Sequence, residues 1–136
     1  MGEKPVVYLA SPYRGAIKQN ESFARLAMTY AIRSGAVPVA PHLFYPQVLN
    51  EQKMEDRALG MKLGLELLKR CDELWLCGDE QSSGMALEEK AARKAGIVIR
   101  RIPAAEIYAV LLQDGIRQTE MGARDVFEQS LSGAWQ

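Results

Sequence analysis

The sequence is poor in the residues on which disulfide-rich proteins and metalloproteins depend. Among its 136 residues are only two cysteines, Cys71 and Cys77. The strand predicted between them separates them by about 20 Å, too far for a disulfide. We expect both to be reduced core residues, since free cysteine packs as a small hydrophobe. There is one histidine, His42; we assign no metal site and no cofactor.

Net charge and long apolar runs are also missing. Seventeen basic and seventeen acidic residues cancel, so no electrostatic signal indicates a nucleic-acid or membrane partner. The N-terminal segment MGEKPVVYLA does not have the pattern of a signal peptide, and no apolar run approaches the roughly 20 residues of a membrane span. We expect a cytoplasmic protein with one globular core, to which 48% hydrophobic residues contribute.

The chain is organised around residues 72–99. The segment ELWLC, at 73–77, is an apolar run typical of a parallel strand covered on both faces, and Gly78 follows it. Ser82, Ser83 and Gly84 then precede a predicted helix, whose free N–H groups and dipole attract anions. Glu88 falls about one turn inside that helix. Its carboxylate can therefore face whatever occupies the mouth of the turn.

Strands and helices alternate along the first 115 residues. Strands are predicted at 5–10, 36–40, 73–77 and 96–101, and helices at 17–34, 51–70, after Ser82 and at 103–113. Pro38 has no N–H for a central ladder, so its strand is placed at the edge. Right-handed crossovers then give a Rossmann- or flavodoxin-like α/β fold, an open parallel sheet ordered 2-1-3-4 with helices on both faces. The loop 11–15 and the turn after Gly78 converge on one crevice.

The last 21 residues, 116–136, read as a separate helical tail after an expected helix end at Asp114 and Gly115. The tail is mostly polar, but it carries too many large apolar groups to remain free, and these could dock on its own subunit or on a partner subunit. We predict that it makes a homo-oligomer contact through Met121, Phe127, Leu131 and Trp135.

The residues alone leave two interpretations of the crevice open. Glu88, inside a helix and near an anion-binding turn, could act as a nucleophile toward an electrophilic carbon such as an anomeric centre. Glu88 and Glu89 could equally be acids that favour the helix dipole. Ser82 and Ser83 have the same ambiguity, because serine is a common N-cap. Tyr8 would ordinarily be a core residue.

Three motifs in this order resemble the nucleoside 2-deoxyribosyltransferase superfamily. They are YLASPYRG at 8–15, DELW at 72–75, and SSGMALE at 82–88, followed by an alanine-rich helix and GIV at 96–98. The likeness covers about residues 5–101. Within the superfamily, the pattern is most similar to small uncharacterised domains of phages and bacteria.

The resemblance implies a role for each matched position. Glu88 takes the place of the nucleophile that attacks C1′ of a deoxyribonucleoside, and Tyr8 that of the tyrosine that orients it. Ser82 falls where enzymes acting on 5′-monophosphates carry a serine, which implies a nucleotide rather than a free nucleoside as the small-molecule partner. Substrate contacts are then predicted for Ser11, Tyr13, Arg14, Gly15, His42, Ser82, Ser83, Gly84 and Met85.

One departure from the superfamily pattern affects function. The second carboxylate of the transferases, an acid for the leaving base, corresponds here to Gly64. Asp56, Glu66 or His42 could substitute, or the chain only binds. Three functions remain in competition: an N-glycosyl transferase or hydrolase of a (deoxy)nucleoside 5′-monophosphate, a non-catalytic nucleotide sensor, and an oligomeric interaction module.

Overall fold

The computed structural model describes residues 3–13 and 15–117, with side chains as far as residue 113. Strands and helices alternate along this part of the chain. In order they are β1 (Val6–Ala10), α1 (Ile17–Arg33), β2 (Val37–Val39), a 3₁₀ turn (Pro41–Leu43), α2 (Tyr45–Val48), α3 (Met54–Leu68), β3 (Glu73–Cys77), α4 (Ser83–Ala95), β4 (Val98–Ile102) and α5 (Ala104–Arg117).

The four strands form one parallel sheet in the order β2-β1-β3-β4, as predicted. β2 is an edge strand, and Pro38 pairs with Val7 there without having to donate to a second neighbour. Tyr8 stands opposite Val39 on one side and Leu74 on the other. The chain therefore reverses its direction of winding between β1 and β3, where open α/β sheets place their ligand crevice.

Helices cover both faces of the sheet, so strand residues point alternately into two cores. One core contains Leu9 and Trp75 from the sheet and is covered by α1 and α5. The other contains Tyr8 and Leu74 and is covered by α3 and α4. Cys77 lies in the first and Cys71 in the second, and both are buried free thiols, as expected.

Several predicted boundaries were wrong. The segment after β2, where no helix was predicted before residue 51, contains the 3₁₀ turn and α2, and α3 begins at Met54 rather than near residue 51. α5 continues through Asp114 and Gly115 to Arg117. A glycine costs about 1 kcal/mol in a helix but does not end one by itself. Gly96, in contrast, does end α4, because it takes the left-handed conformation with φ 73°.

Two sequence-based expectations fall outside the described residues. They are the oligomer contact of the tail, through Met121, Phe127, Leu131 and Trp135, and the phosphate contact of Arg14. Within the described ranges, no helix is both long and apolar enough to cross a bilayer.

Candidate active site

The crevice lies at the carboxyl ends of β1 and β3. Ser11, directly after β1, is buried, and the loop that follows it leads to Gly15, which has φ 91°. Gly78 follows β3 with φ 102°, a conformation that side chains disfavour, and a Cβ there would also lie 3.3 Å from the Phe23 ring. Both chain segments therefore turn sharply at the same edge of the sheet.

A buried polar pair, Tyr8 and Glu88, lies in the core between β1 and α4. The Tyr8 hydroxyl, from β1, donates to Glu88 Oε2, from α4, over 2.5 Å. Each residue is only 1% exposed. The second carboxylate oxygen, Oε1, is buried without a hydrogen-bond partner. The carboxyl group is thus held by one oxygen and unengaged at the other, which is uncommon for a buried polar group.

Burial changes the acidity of both members of this pair. Loss of solvation raises the pKa of Glu88 to about 7, although the hydrogen bond from Tyr8 acts in the opposite direction. Burial, and then the negative charge of Glu88, raise the pKa of Tyr8 well above its ordinary value. Tyr8 therefore stays a neutral donor, while Glu88 changes protonation state near neutral pH.

The start of α4 fixes which glutamate reaches this core. Ser82 caps the helix, and its Oγ accepts a hydrogen bond from the Met85 N–H over 3.2 Å. A helix turns about 100° per residue, so Glu88 and Glu89 point in different directions. The structure places Glu88 against Tyr8, whereas Glu89 accepts a hydrogen bond from Gln81.

Glu89 belongs to a separate ionic cluster that ties α4 to β4. Gln81 donates to its Oε1 over 2.8 Å, and Arg93 and Arg101 donate to its Oε2 over 2.6 and 2.7 Å. The hydrogen bonds from Gln81 and Arg93, with a further contribution from Arg101, lower the pKa of Glu89 to about 2. Neighbouring glutamates of identical chemistry thus have opposite electrostatic environments.

The four substrate contacts predicted in the turn before α4 and at its start differ in how deeply they are buried. Ser82 is half-buried with its hydroxyl engaged in the cap, and Ser83 is exposed. Gly84 lies close to α3, since a Cβ on it would be 3.3 Å from Met61 Cε. Met85 is 2% exposed and packs in the core that contains Tyr8. Ligand contacts of these four residues stay predictions.

Tyr13 and His42 form a second pair, which the sequence analysis did not foresee. Their rings stack with centroids 5.8 Å apart and planes 23° apart. His42 Nε2 is buried without a partner, and burial lowers the pKa of the ring, which is therefore neutral at pH 7. The strand order could have indicated this contact, because Tyr13 follows β1, His42 follows β2, and these two strands are neighbours in the sheet.

Gly64 of α3 lies directly against the Tyr8–Glu88 pair. A Cβ at this position would be 3.0 Å from the Tyr8 hydroxyl oxygen, so the tyrosine occupies the space that a side chain would need. Two of the three proposed substitutes are engaged elsewhere: Asp56 accepts from the Asn50 N–H over 2.7 Å, and Glu66 forms an exposed ion pair with a lysine over 3.3 Å. The third, His42, has a neutral ring that is a poor proton donor. Within the described part of the chain, no three acidic, histidine or cysteine side chains could together hold a metal ion.

Comparison with known proteins places the chain in a family. Residues 5–102 match the family described as "Domain of unknown function (DUF7768)". The chain belongs to the DUF7768 family. A solved structure with a similar fold is a 2-deoxyribosyltransferase from the psychrotolerant bacterium Bacillus psychrosaccharolyticus, with a TM-score of 0.59 and 23% identity over 72% of each chain. No curated protein matches the chain.

The DUF7768 match extends over all four strands and includes Tyr8, Gly64 and Glu88, whereas α5 lies beyond it. At 23% identity, the likeness to the transferase establishes a shared α/β fold and a distant structural relationship. The description of the DUF7768 family carries no activity. The function therefore has to be argued from the chemistry of the site.

Proposed function

We propose that this DUF7768 domain is an N-glycosyl transferase or hydrolase that acts on a nucleoside or its 5′-monophosphate, with Glu88 as the nucleophile. The observation that carries the proposal is the Tyr8–Glu88 pair, buried between β1 and α4 with one carboxylate oxygen held and the other unpartnered. Leaving a buried acceptor unsatisfied costs about 1–3 kcal/mol. An oxygen that will bond to substrate accounts for that cost.

The reaction follows from this geometry. Glu88 Oε1 attacks C1′ of the sugar, the C1′–N bond breaks, and its electron pair leaves with the base. Tyr8 holds Oε2 and so fixes the orientation of the attacking oxygen. Water or a second base then attacks C1′ of the glycosyl ester and releases the carboxylate. The attacking group loses a proton in this step, which balances the proton that the departed base takes up from solvent. Because only ionised Glu88 is a nucleophile, turnover is expected to rise with pH through about 7, the pKa of this group.

The choice of sugar and phosphate follows from the structural neighbour, the start of α4 and the YLASPYRG motif. The neighbour of similar fold is a 2-deoxyribosyltransferase, which favours a deoxyribosyl substrate. The N-terminus of α4, a helix of 13 residues that begins in the turn after β3, would attract a phosphate. Arg14, by its place in the YLASPYRG motif, is proposed to add a charge-assisted contact. We also propose a homo-oligomer in the cytoplasm, assembled through the tail.

The test is base release. The protein is incubated with deoxynucleosides and their 5′-monophosphates, with and without a second free base, and products are separated by chromatography. Glu88→Gln is expected to abolish release while retaining the fold, and Glu66→Gln is the matched control because Glu66 is an exposed surface glutamate. Wild-type release by Glu88→Gln would refute the proposal. Arg14→Ala is expected to weaken binding of the monophosphate by about 1.5–3 kcal/mol and that of the nucleoside far less.

A second candidate is a nucleotide sensor without turnover. It is favoured by Gly64, which brings no acid to the pair, and by the nearly complete burial of Glu88. Saturable thermal stabilisation by a nucleotide, without base release or exchange, would identify this function.

A further inference from the structure

Among the described residues, no cationic side chain forms an ion pair with Glu88 to compensate its charge when it ionises. The buried charged side chains of residues 3–13 and 15–113 are Glu88 and Glu89, and only Glu89 has arginine partners. The single hydrogen bond to Glu88 comes from the neutral Tyr8 hydroxyl. An ionised carboxylate in such a site is costly, and a positive charge brought within about 4–6 Å would offset that cost.

None of the candidate acids among the described residues is placed to protonate a leaving base. Gly64 has no side chain, and Tyr8 already occupies the space beside it. Asp56 and Glu66 are committed to a backbone N–H and to a lysine, and burial lowers the pKa of His42, whose neutral ring is a poor acid. A neutral base leaves poorly unless it is protonated, and the missing acid costs on the order of 10²–10⁴ in rate. A base that is already cationic has no such requirement.

Both observations point to the same substrate class. Building on the proposed function, we propose that the substrate is a nucleoside or nucleotide whose base is a permanently cationic nitrogen ring of the pyridinium type. Glu88 Oε1 forms a bond to C1′, the C1′–N⁺ bond breaks, and its electron pair neutralises the ring. The base departs uncharged and no proton moves in this step.

The same charge arrangement serves binding. The cationic ring supplies the counter-charge that the described residues do not provide, and so stabilises Glu88 in its ionised, reactive form. The unpartnered Oε1 gains an electrostatic partner before it gains a bond. When the neutral base has left, that attraction is gone, which favours release of the product.

The first experiment compares leaving groups. Nicotinamide riboside and its 5′-monophosphate are incubated with the full chain at pH 8, in parallel with ribosides, deoxyribosides and monophosphates of the neutral bases. Release from the cationic substrates is expected to be at least ~10² times faster, the lower value of an acid's contribution. Equal or faster release of neutral bases overturns this inference and leaves the proposed function standing. No release from any substrate overturns both.

The second experiment isolates charge from reactivity. A carbocyclic nicotinamide nucleoside is a cation that cannot be cleaved in this way, and the analogue with a benzamide ring has the same shape without the charge. Wild-type protein at pH 8 is expected to bind the cation at least about tenfold more tightly, as measured by calorimetry. Glu88→Gln, which removes the negative charge, should bind both with similar affinity. A preference for the cation that persists in Glu88→Gln would overturn the inference.

Discussion

Replacing Glu88 with glutamine is expected to change how stability depends on pH, independently of any substrate. Burial raises the pKa of Glu88 from its ordinary 4.5 to about 7. Between these two pH values, the folded chain retains a proton that the unfolded chain has released. The contribution of Glu88 to stability is therefore fully present below pH 4.5 and is lost as pH rises through 7.

The size of this effect follows from the same two values. The difference between 4.5 and about 7, at about 1.4 kcal/mol for each pH unit, corresponds to a loss of about 3 kcal/mol in the free energy of unfolding. Glutamine cannot ionise, so the variant does not incur this loss. An amide that lacks a partner at the Oε1 position adds a constant cost that does not vary with pH.

The assay is urea unfolding of both proteins from pH 5 to pH 8, followed by tryptophan fluorescence, since Trp75 is 3% exposed in the folded chain. Every other ionisable group is common to both chains, so the difference between them isolates Glu88. The variant should gain about 2.5 kcal/mol relative to the wild type between pH 5 and pH 8, because part of the loss already occurs below pH 5. A difference that stays constant from pH 5 to pH 8 would refute the assigned burial and ionisation of Glu88.

Three further predictions concern residues around the site and the tail. Gly64→Ala would place a Cβ 3.0 Å from the Tyr8 hydroxyl, which should displace Tyr8 and reduce turnover by up to ~10²-fold. Gly60→Ala is the control on the same helix: its Cβ would be in ordinary contact with Leu49, and the free energy of unfolding should rise by up to about 1 kcal/mol. Unchanged turnover in Gly64→Ala would contradict this prediction. Glu89→Gln should destabilise the chain near pH 7 but not near pH 2, because the stability that comes from the lowered pKa of Glu89 is present above pH 4.5 and is lost as pH falls through about 2. Turnover per folded molecule should be unchanged. A loss of turnover equal to that of Glu88→Gln would contradict the assignment of Glu88 as the nucleophile. Removal of residues 116–136 is expected to change the association state measured by sizing, and a monomer before and after truncation would exclude that role.

The sheet could be predicted because its determinants are local. Pro38 lacks the N–H that a central strand needs, and the apolar runs of the other strands require cover on both faces. Together with right-handed crossovers, these features leave the order β2-β1-β3-β4. The different directions of Glu88 and Glu89 follow from helix geometry in the same way.

What could not be predicted depends on contacts between distant parts of the chain. Gly64 and Tyr8 belong to different elements, and no local pattern indicates that the tyrosine fills the space beside the glycine. The ion pair between Glu89 and Arg101 likewise requires the packing of α4 against β4. The predicted end of α5 was wrong for a different reason, because a glycine destabilises a helix only modestly and does not end it by itself.

The most direct test of the account is to capture the covalent intermediate. The protein is mixed with a cleavable nucleotide, denatured within one turnover, digested and analysed by mass spectrometry. The account predicts a glycosyl ester on the peptide that contains Glu88, absent from Glu88→Gln and retained in Glu66→Gln. Base release with no sugar on Glu88, or with the sugar on another residue, would contradict it.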